Sequence, residues 1–158
     1  MRSSSSDGSD GVASSRAALP PASSARRSSA PGRLDWVEAP ADGDLTSIVR
    51  AELARARTDN RTLIVYVGAA WCEPCGRFHA AAARGALDTS FPTLRILGFD
   101  RDRDEARLSA AGYSSRLIPL FALPNPDGRA SGRSIDGSIK GPGAVDDLTP
   151  RLRELLGD

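Results

Sequence analysis

Two cysteines, three residues apart, are the clearest candidates for chemistry in this chain. They are Cys72 and Cys75 in the segment "WCEPC", and no other cysteine occurs among the 158 residues. Two such thiols can bind a metal ion, form a structural disulfide, or transfer electrons by cycling between dithiol and disulfide. The residue types around them favour the third use.

A metal site has little support from the neighbouring residues. Structural zinc sites use four ligands, whereas this segment offers Cys72, Cys75 and His79, the only histidine of the chain. A purely structural disulfide is also a poor explanation, because closing so short a loop constrains the unfolded chain very little. We therefore expect no metal, no cofactor and a redox-active pair of thiols.

The spacing of the pair suits thiol–disulfide exchange. A cysteine at the N-terminus of a helix has a lowered pKa, because the unpaired N–H groups and the helix dipole favour the thiolate there. Cys72 is thus the predicted nucleophile. Cys75 follows one helical turn later, close enough to attack a mixed disulfide on Cys72. Pro74 fits the first helical turn, where its missing N–H costs nothing.

Alternating helix and strand patterns around the pair predict an α/β domain. The segment "LTSIVRAELARAR" predicts an amphipathic helix capped by Asp44 or Thr46. A continuous apolar strand, "RTLIVYVG", leads to the cysteines and is expected to be covered on both faces. A helix rich in alanine follows, and then a strand, "TLRILGFD", and a helix that opens with "DRDRDE" and ends at Gly112.

The C-terminal third predicts a hairpin and a final helix. "LIPLFAL" is expected to be a strand with its proline near the first residue, "PNPDG" a turn, and "GRSIDGS" the antiparallel partner strand. The last segment, "DDLTPRLRELLG", has a helical leucine pattern interrupted by Pro150. Either Thr149 caps a short helix that starts at Pro150, or a longer helix is kinked there.

The first 32 residues differ from the rest, since they are rich in Ser, Ala, Pro and Arg and contain few large apolar side chains. We expect them to form a disordered tail before a single domain at 34–158. No secretory signal is recognisable, which favours the cytoplasm. Export or membrane tethering is the alternative if an N-terminal signal is missing from this chain. The net charge of +1 disfavours nucleic acid as a partner. The apolar runs are too short for a transmembrane segment. We expect a monomer.

The order of these elements resembles the thioredoxin-like family of WCxxC thiol:disulfide oxidoreductases. Three motifs carry the resemblance: "WCEPC" at a helix start, Ile118-Pro119 at the family's cis-proline position, and the "DGS" loop around Gly137. The resemblance covers residues 34–158. It implies the thioredoxin fold, with a central mixed β-sheet flanked by helices.

Two positions depart from the family pattern. The family usually has a buried Asp where this chain has Tyr66, and a Lys near Ile96. That Asp is considered the proton acceptor for the second cysteine. His79 lies on the same helix face as Cys75, and its imidazole could take this proton while the Tyr66 hydroxyl holds it. A helix histidine without a catalytic role is the alternative.

The resemblance also implies a binding site for an extended substrate segment. The Ile118 backbone would pair with that segment beside Cys72, and Pro119 would keep metal ions from the thiols. An apolar rim would be formed by Trp71, Pro74 and Gly137. Trp71 could instead serve mainly in core packing, and Gly137 could be an ordinary turn glycine.

Glu73 indicates the direction of electron flow. Its carboxylate would oppose a thiolate on Cys72 and so favour the disulfide, which is typical of a reductant. We therefore expect a protein-disulfide reductase that acts on protein disulfides and is recharged by an upstream thiol reductant. A binding or chaperone-type module with slow redox activity, and an electron relay that serves one partner, are the alternatives.

Overall fold

Five strands form one mixed sheet in residues 32–158, the part of the chain that this computed structural model describes. The strands are β1 (Asp35–Glu38), β2 (Thr62–Gly68), β3 (Leu94–Asp100), β4 (Leu120–Pro124) and β5 (Ala130–Asp136). In the sheet order β1-β3-β2-β4-β5, the first three strands are parallel, and β4 is antiparallel to β2 and to β5. The predicted N-terminal tail, except for Gly32, lies outside the described residues.

Four helices cover the two faces of this sheet. They are α1 (Leu45–Thr58), α2 (Glu73–Ala83), α3 (Arg101–Ala110) and α4 (Ala144–Leu156). None of the helices within residues 32–158 is long and apolar enough to span a membrane. The expected α/β class, with a central mixed sheet flanked by helices, is confirmed.

The central strand β2 contributes to both halves of the core. Leu63, Val65 and Val67 pack in the cluster that includes residues of α1 and α3. Ile64 and Tyr66 point to the opposite face, into the cluster that includes residues of α2 and α4. The alternation of side chains along a strand produces this division, and the expectation that β2 is covered on both faces is confirmed.

Side-chain caps set the starts of α1 and α3. Of the two candidates for α1, Asp44 is the cap, and its carboxylate accepts the N–H of Ser47 at 3.0 Å. The Asp100 carboxylate accepts the N–H groups of Asp102 and Arg103, each at 2.9 Å. Both acids satisfy N–H groups that the first helical turn leaves without backbone partners.

Two features differ from or refine the sequence-based expectation. The short strand β1 was not predicted, because it has only four residues and shows no clean alternation of burial. Pro150 lies inside one helix that runs from Ala144 to Leu156, so the longer of the two predicted helices is present. The Thr149 hydroxyl donates to the Val145 carbonyl within that helix at 2.8 Å.

Asp104 of α3 lies at the centre of a buried polar cluster. Its side chain is 1% exposed and accepts hydrogen bonds from the Asp100 N–H, Arg103 and Arg107. Arg107 also donates to the carbonyls of Pro40 and Gly43. Burial alone would raise the pKa of Asp104, but these bonds and charges outweigh it and hold the pKa below its ordinary value of 3.8. The cluster thereby fastens the segment before α1 to α3.

We predict that Asp104→Asn lowers the free energy of unfolding by about 2 kcal/mol at neutral pH, because two arginines lose a charged acceptor. The pKa of Asp104 is lower in the folded than in the unfolded protein. The stability that its carboxylate contributes is therefore fully present above the pKa of the unfolded state and is lost as the pH falls through the pKa of the folded state. Urea unfolding of both proteins measures it. The difference in unfolding free energy between the two proteins should be smaller at about pH 2, below the ordinary pKa of an aspartate. An undiminished difference would contradict the role given to the Asp104 charge.

Candidate active site

The two cysteines form a disulfide at the start of α2. The Cα atoms of Cys72 and Cys75 are 5.2 Å apart. Cys72 is the N-cap residue of α2, and its Sγ accepts the Cys75 N–H at 3.3 Å. Pro74 lies in the first turn, as the sequence predicts. The helix therefore directs its N–H groups at the sulfur expected to act as nucleophile.

Burial differs little between the two sulfur-bearing residues. Cys72 is 6% exposed and Cys75 is 2% exposed, and both belong to the core cluster around Phe78 of α2. Phe78 itself is fully buried and packs against Phe121 of β4, with ring centroids 4.9 Å apart. Packing of α2 on the sheet thus fixes where its first turn lies relative to the end of β2.

The segment before β4 lies beside the same cluster. The Ile118–Pro119 peptide bond is cis, and the partly buried Ile118 side chain packs against the cluster that contains both cysteines. Gly137 follows β5, and its N–H donates to the Pro119 carbonyl at 2.9 Å. The cysteines, Ile118, Pro119 and Gly137 are therefore brought together from three separate parts of the chain.

Gly137 has a conformation that favours glycine. Its φ is +73°, and a Cβ added there would lie 3.0 Å from Cδ1 of Leu117. Both the backbone geometry and the covering leucine thus disfavour any larger residue. Gly137 is also a turn residue, so the sequence-based alternative of a turn glycine is compatible with its place beside Pro119.

Trp71 lies on the surface. Its side chain is 64% exposed, and its Nε1–H donates to Oδ2 of Asp102 at 2.8 Å. Asp102 is in the first turn of α3. The hydrogen bond gives the exposed indole a defined direction next to Cys72, whereas core packing by Trp71 would require burial.

The Glu73 side chain contacts the segment after β5. Its Oε1 accepts the Gly141 N–H at 2.7 Å, and its Oε2 lies 3.5 Å from Nη2 of Arg77. The Gly141 N–H, with further contributions from Arg77 and Lys140, holds the pKa of Glu73 below its ordinary value. The carboxylate is therefore ionised at neutral pH.

Tyr66 and Ile96 occupy the two positions at which the resemblance would imply charged residues. Ile96 is fully buried. Burial, and secondarily the negative charge of Glu38, raise the pKa of the Tyr66 phenol. The hydroxyl therefore stays protonated at neutral pH and is able to donate a hydrogen bond but not to accept the proton of a thiol.

His79 lies at the edge of this region. Its Nε2 is 3.6 Å from Oε2 of Glu38, and its ring packs edge-on against Trp36 at a centroid distance of 4.6 Å. The Trp36 Nε1–H donates to the same Glu38 oxygen at 2.5 Å. The unpredicted strand β1 thus supplies the neighbours of the one histidine. Its role as proton acceptor for Cys75 stays a prediction.

Sequence reasoning missed several residues that contact the predicted site residues or lie next to them along the chain. They are Asp102, Leu117, Ile139 and Gly141. The sequence does show Ile139 as the single large apolar residue of the segment "GSIKGPG", whose glycines and proline are typical of a loop. Within residues 32–158 no group of three or more Cys, His, Asp or Glu residues is arranged to bind a metal ion.

The first prediction for the site concerns Gly137. We expect Gly137→Ala to lower the free energy of unfolding by about 1–2 kcal/mol through its positive φ, and to displace Leu117. Gly132 is a matched control, because its φ is +90° but a Cβ there would meet nothing within 4 Å. Urea unfolding should show a larger loss for Gly137→Ala than for Gly132→Ala. Equal losses would mean that the Leu117 contact is unimportant.

The second prediction concerns His79. If it accepts the Cys75 proton, His79→Ala should slow release of a substrate bound to Cys72 by on the order of a hundredfold. Stopped-flow measurement of the release step, after rapid formation of a mixed disulfide, gives the rate directly. Glu38→Gln serves as a companion variant, because it removes the carboxylate next to the imidazole. An unchanged release rate in His79→Ala would leave this histidine without a catalytic role.

Solved structures of thioredoxins are similar to this chain over most of its length. Thioredoxin h from poplar is 19% identical and aligns over 80% of this chain and 98% of its own, with a TM-score of 0.50. A thioredoxin from Nicotiana alata is 17% identical over 81% and 96% of the two chains, with a TM-score of 0.48. Thioredoxin f from spinach chloroplast is 18% identical over 80% and 96%, with a TM-score of 0.46.

No family model and no curated protein sequence matches this chain. The likeness to known proteins is therefore structural, and at this identity it concerns the fold. The strand order, the helix that follows β2 and the CxxC-spaced disulfide at its start agree with the likeness to poplar thioredoxin h. The chain therefore has the thioredoxin fold, with a CxxC disulfide at the start of its second helix.

Proposed function

We propose that this protein is a thiol:disulfide oxidoreductase that reduces disulfides in other proteins. The observation that carries the proposal is the Cys72–Cys75 disulfide at the N-terminus of α2, with Cys72 as the cap residue. Helix N–H groups that point at a sulfur stabilise its thiolate. Once the disulfide is reduced, Cys72 is the sulfur that this arrangement activates.

The reaction follows from the positions of the two sulfurs. The Cys72 thiolate attacks a target disulfide, one target sulfur leaves and takes a proton, and a mixed disulfide forms. Cys75 then loses its proton and attacks Cys72 Sγ, which releases the second target thiol and restores the internal disulfide. Two electrons pass to the target in each cycle. An upstream thiol reductant must return two electrons and two protons before the next cycle.

The charge of Glu73 supports reduction as the favoured direction. Its carboxylate is ionised, and it is the residue next to Cys72. A neighbouring negative charge destabilises a thiolate relative to the disulfide, so the dithiol form gives up its electrons more readily. The charge of Glu73 thus supports a reductase over an oxidase, whose dithiol form is the more stable one.

Substrate binding is assigned to the surface around the cis peptide bond. Ile118 lies directly before β4 and beside the cluster of the two cysteines. An extended target segment could pair with its backbone while the target sulfur faces Cys72. Of the three predicted rim residues, Trp71 is exposed, and Pro74 and Gly137 are buried. Partners are then unfolded or extended protein segments that carry a disulfide.

The decisive experiment is reduction of insulin disulfides by the purified full chain, with dithiothreitol as electron donor. We expect the wild-type protein to accelerate the reaction and Cys72→Ser to abolish the acceleration, because the nucleophile is lost. Cys75→Ser should retain the first attack but stop at the mixed disulfide. An equally active Cys72→Ser protein would refute the proposed chemistry.

Trapping with Cys75→Ser distinguishes the proposal from its two alternatives. Mixed disulfides with many proteins support a general reductase, and a mixed disulfide with one protein supports a dedicated electron relay. The absence of any adduct, together with no insulin reduction, supports a binding module of the same fold. The Cys72→Ser, Cys75→Ser double variant controls for adducts that do not depend on either sulfur.

A further inference from the structure

The side chain of Glu73 connects the redox motif to a distant loop. We call residues 137–143, between β5 and α4, the β5–α4 loop. Glu73 Oε1 accepts the N–H of Gly141 in this loop, although the two residues are 68 positions apart in sequence. Oε2 faces Arg77 on the next turn of α2. One carboxylate therefore binds its own helix with one oxygen and the loop with the other.

The two ends of the β5–α4 loop are held by different partners. At Gly137, the N–H donates to the Pro119 carbonyl, and the Gly137 carbonyl accepts a hydrogen bond from Arg151 at 2.8 Å. At the other end, the carbonyls of Gly141 and Gly143 accept N–H groups of the first turns of α4. The hydrogen bond from the Gly141 N–H to Glu73 connects this end of the loop to α2.

This loop carries one of three exposed apolar side chains that flank, in sequence, the segments of the candidate site. The large apolar residues most exposed within residues 32–158 are Trp71, at 64%, Leu117, at 58%, and Ile139, at 55%. Trp71 precedes Cys72, Leu117 precedes the cis peptide bond, and Ile139 follows Gly137. A Cβ at Gly137 would touch Leu117, and a Cβ at Gly143 would lie 3.2 Å from Ile139 Cδ1.

Exposed apolar side chains that are grouped rather than scattered indicate a recognition surface. Here they come from three segments that hydrogen bonds join to one another and to the redox motif. A target segment lying across Ile118 would meet Leu117 and Ile139 beside its attacked cysteine. The position of Ile139 depends in turn on how the β5–α4 loop is held.

We infer that Glu73 is a positioning residue for substrate selection: its hydrogen bond to Gly141 holds the β5–α4 loop so that Ile139 contacts apolar side chains beside the attacked disulfide. This inference rests on the proposed function and extends it to a substrate class, namely disulfides flanked by apolar residues. It assigns Glu73 a second task that differs from its electrostatic effect on Cys72.

The two tasks are separated by two substitutions. Glu73→Gln removes the charge but keeps a side-chain oxygen that can accept the Gly141 N–H. Glu73→Ala removes both. Any effect through charge on Cys72 is shared by the two variants, so the difference between them isolates the hydrogen bond. Arg77→Gln is the matched control, because it removes the ion pair of Glu73 and leaves the Gly141 bond in place.

The experiment measures kcat and KM for two disulfide-bonded peptides, with dithiothreitol as electron donor. The peptides have Leu or Ser on both sides of the attacked cysteine. We expect a lower KM for the Leu peptide with the wild-type protein. Relative to Glu73→Gln, Glu73→Ala should raise that KM by about three- to tenfold, the range expected for one hydrogen bond, and should change the KM for the Ser peptide less. Ile139→Ser should also reduce the discrimination.

Amide hydrogen exchange of Gly141 gives a readout that does not depend on activity. Exchange should be faster in Glu73→Ala than in Glu73→Gln, and Arg77→Gln should resemble the wild-type protein. Equal KM values and equal exchange in the two Glu73 variants would overturn the positioning role. A wild-type protein that reduces neither peptide nor insulin would overturn the proposed reductase function. If the wild-type protein is active but the two Glu73 variants do not differ, only this inference is overturned.

Discussion

The site depends on one constraint, the placement of Cys72 Sγ at the N-terminus of α2. The sulfur accepts the Cys75 N–H, and the disulfide joins residues one helical turn apart. This placement requires a strand that ends just before the helix and a helix that cannot shift along the sheet. β2 ends at Gly68, four residues before Cys72, and the fully buried Phe78 anchors α2 against β4. The core around Phe78 thus holds the geometry that thiol–disulfide exchange needs.

Two opposing electrostatic effects meet at this sulfur. The helix N-terminus favours a thiolate, while the ionised carboxylate of Glu73 disfavours it. Glu73 directs its oxygens at Gly141 and Arg77, and each of these donors offsets part of its negative charge. The carboxylate therefore acts on Cys72 from a fixed direction and with reduced strength. A free carboxylate at the same position would be screened by water but would also be able to approach the thiolate.

Much of this arrangement could be predicted from sequence because its signals are local. Asp44 caps α1, the apolar run of β2 is covered on both faces, and the cysteines lie at a helix start. Each follows from residue types within a few positions of one another. The strand β1 gave a weaker signal, since its four residues are intermediate or exposed. Pro150 argued against the middle of a helix, yet α4 continues through it because Leu148 and Leu152 are fully buried on either side.

The contacts that complete the site were beyond such local reasoning. The partner of Glu73 is 68 residues away, and the partner of Trp71 is 31 residues away. Neither pairing leaves a pattern in one sequence, since glycine and aspartate are ordinary residues in loops and first helical turns.

The same limit applies to proton transfer at the second cysteine. The replacement of an acid by Tyr66 is visible in the sequence, but the neighbours of His79 come from β1, the strand that the sequence signalled least. Because Tyr66 remains protonated and lies in the core, it is not able to act as a base for Cys75. Trp36, Glu38 and His79 form a cluster at the edge of the site. Glu38 connects its members, because it accepts the Trp36 N–H and lies within ion-pair distance of His79. If His79 accepts the Cys75 proton, as predicted, β1 contributes to this step by placing Trp36 and Glu38 beside the imidazole.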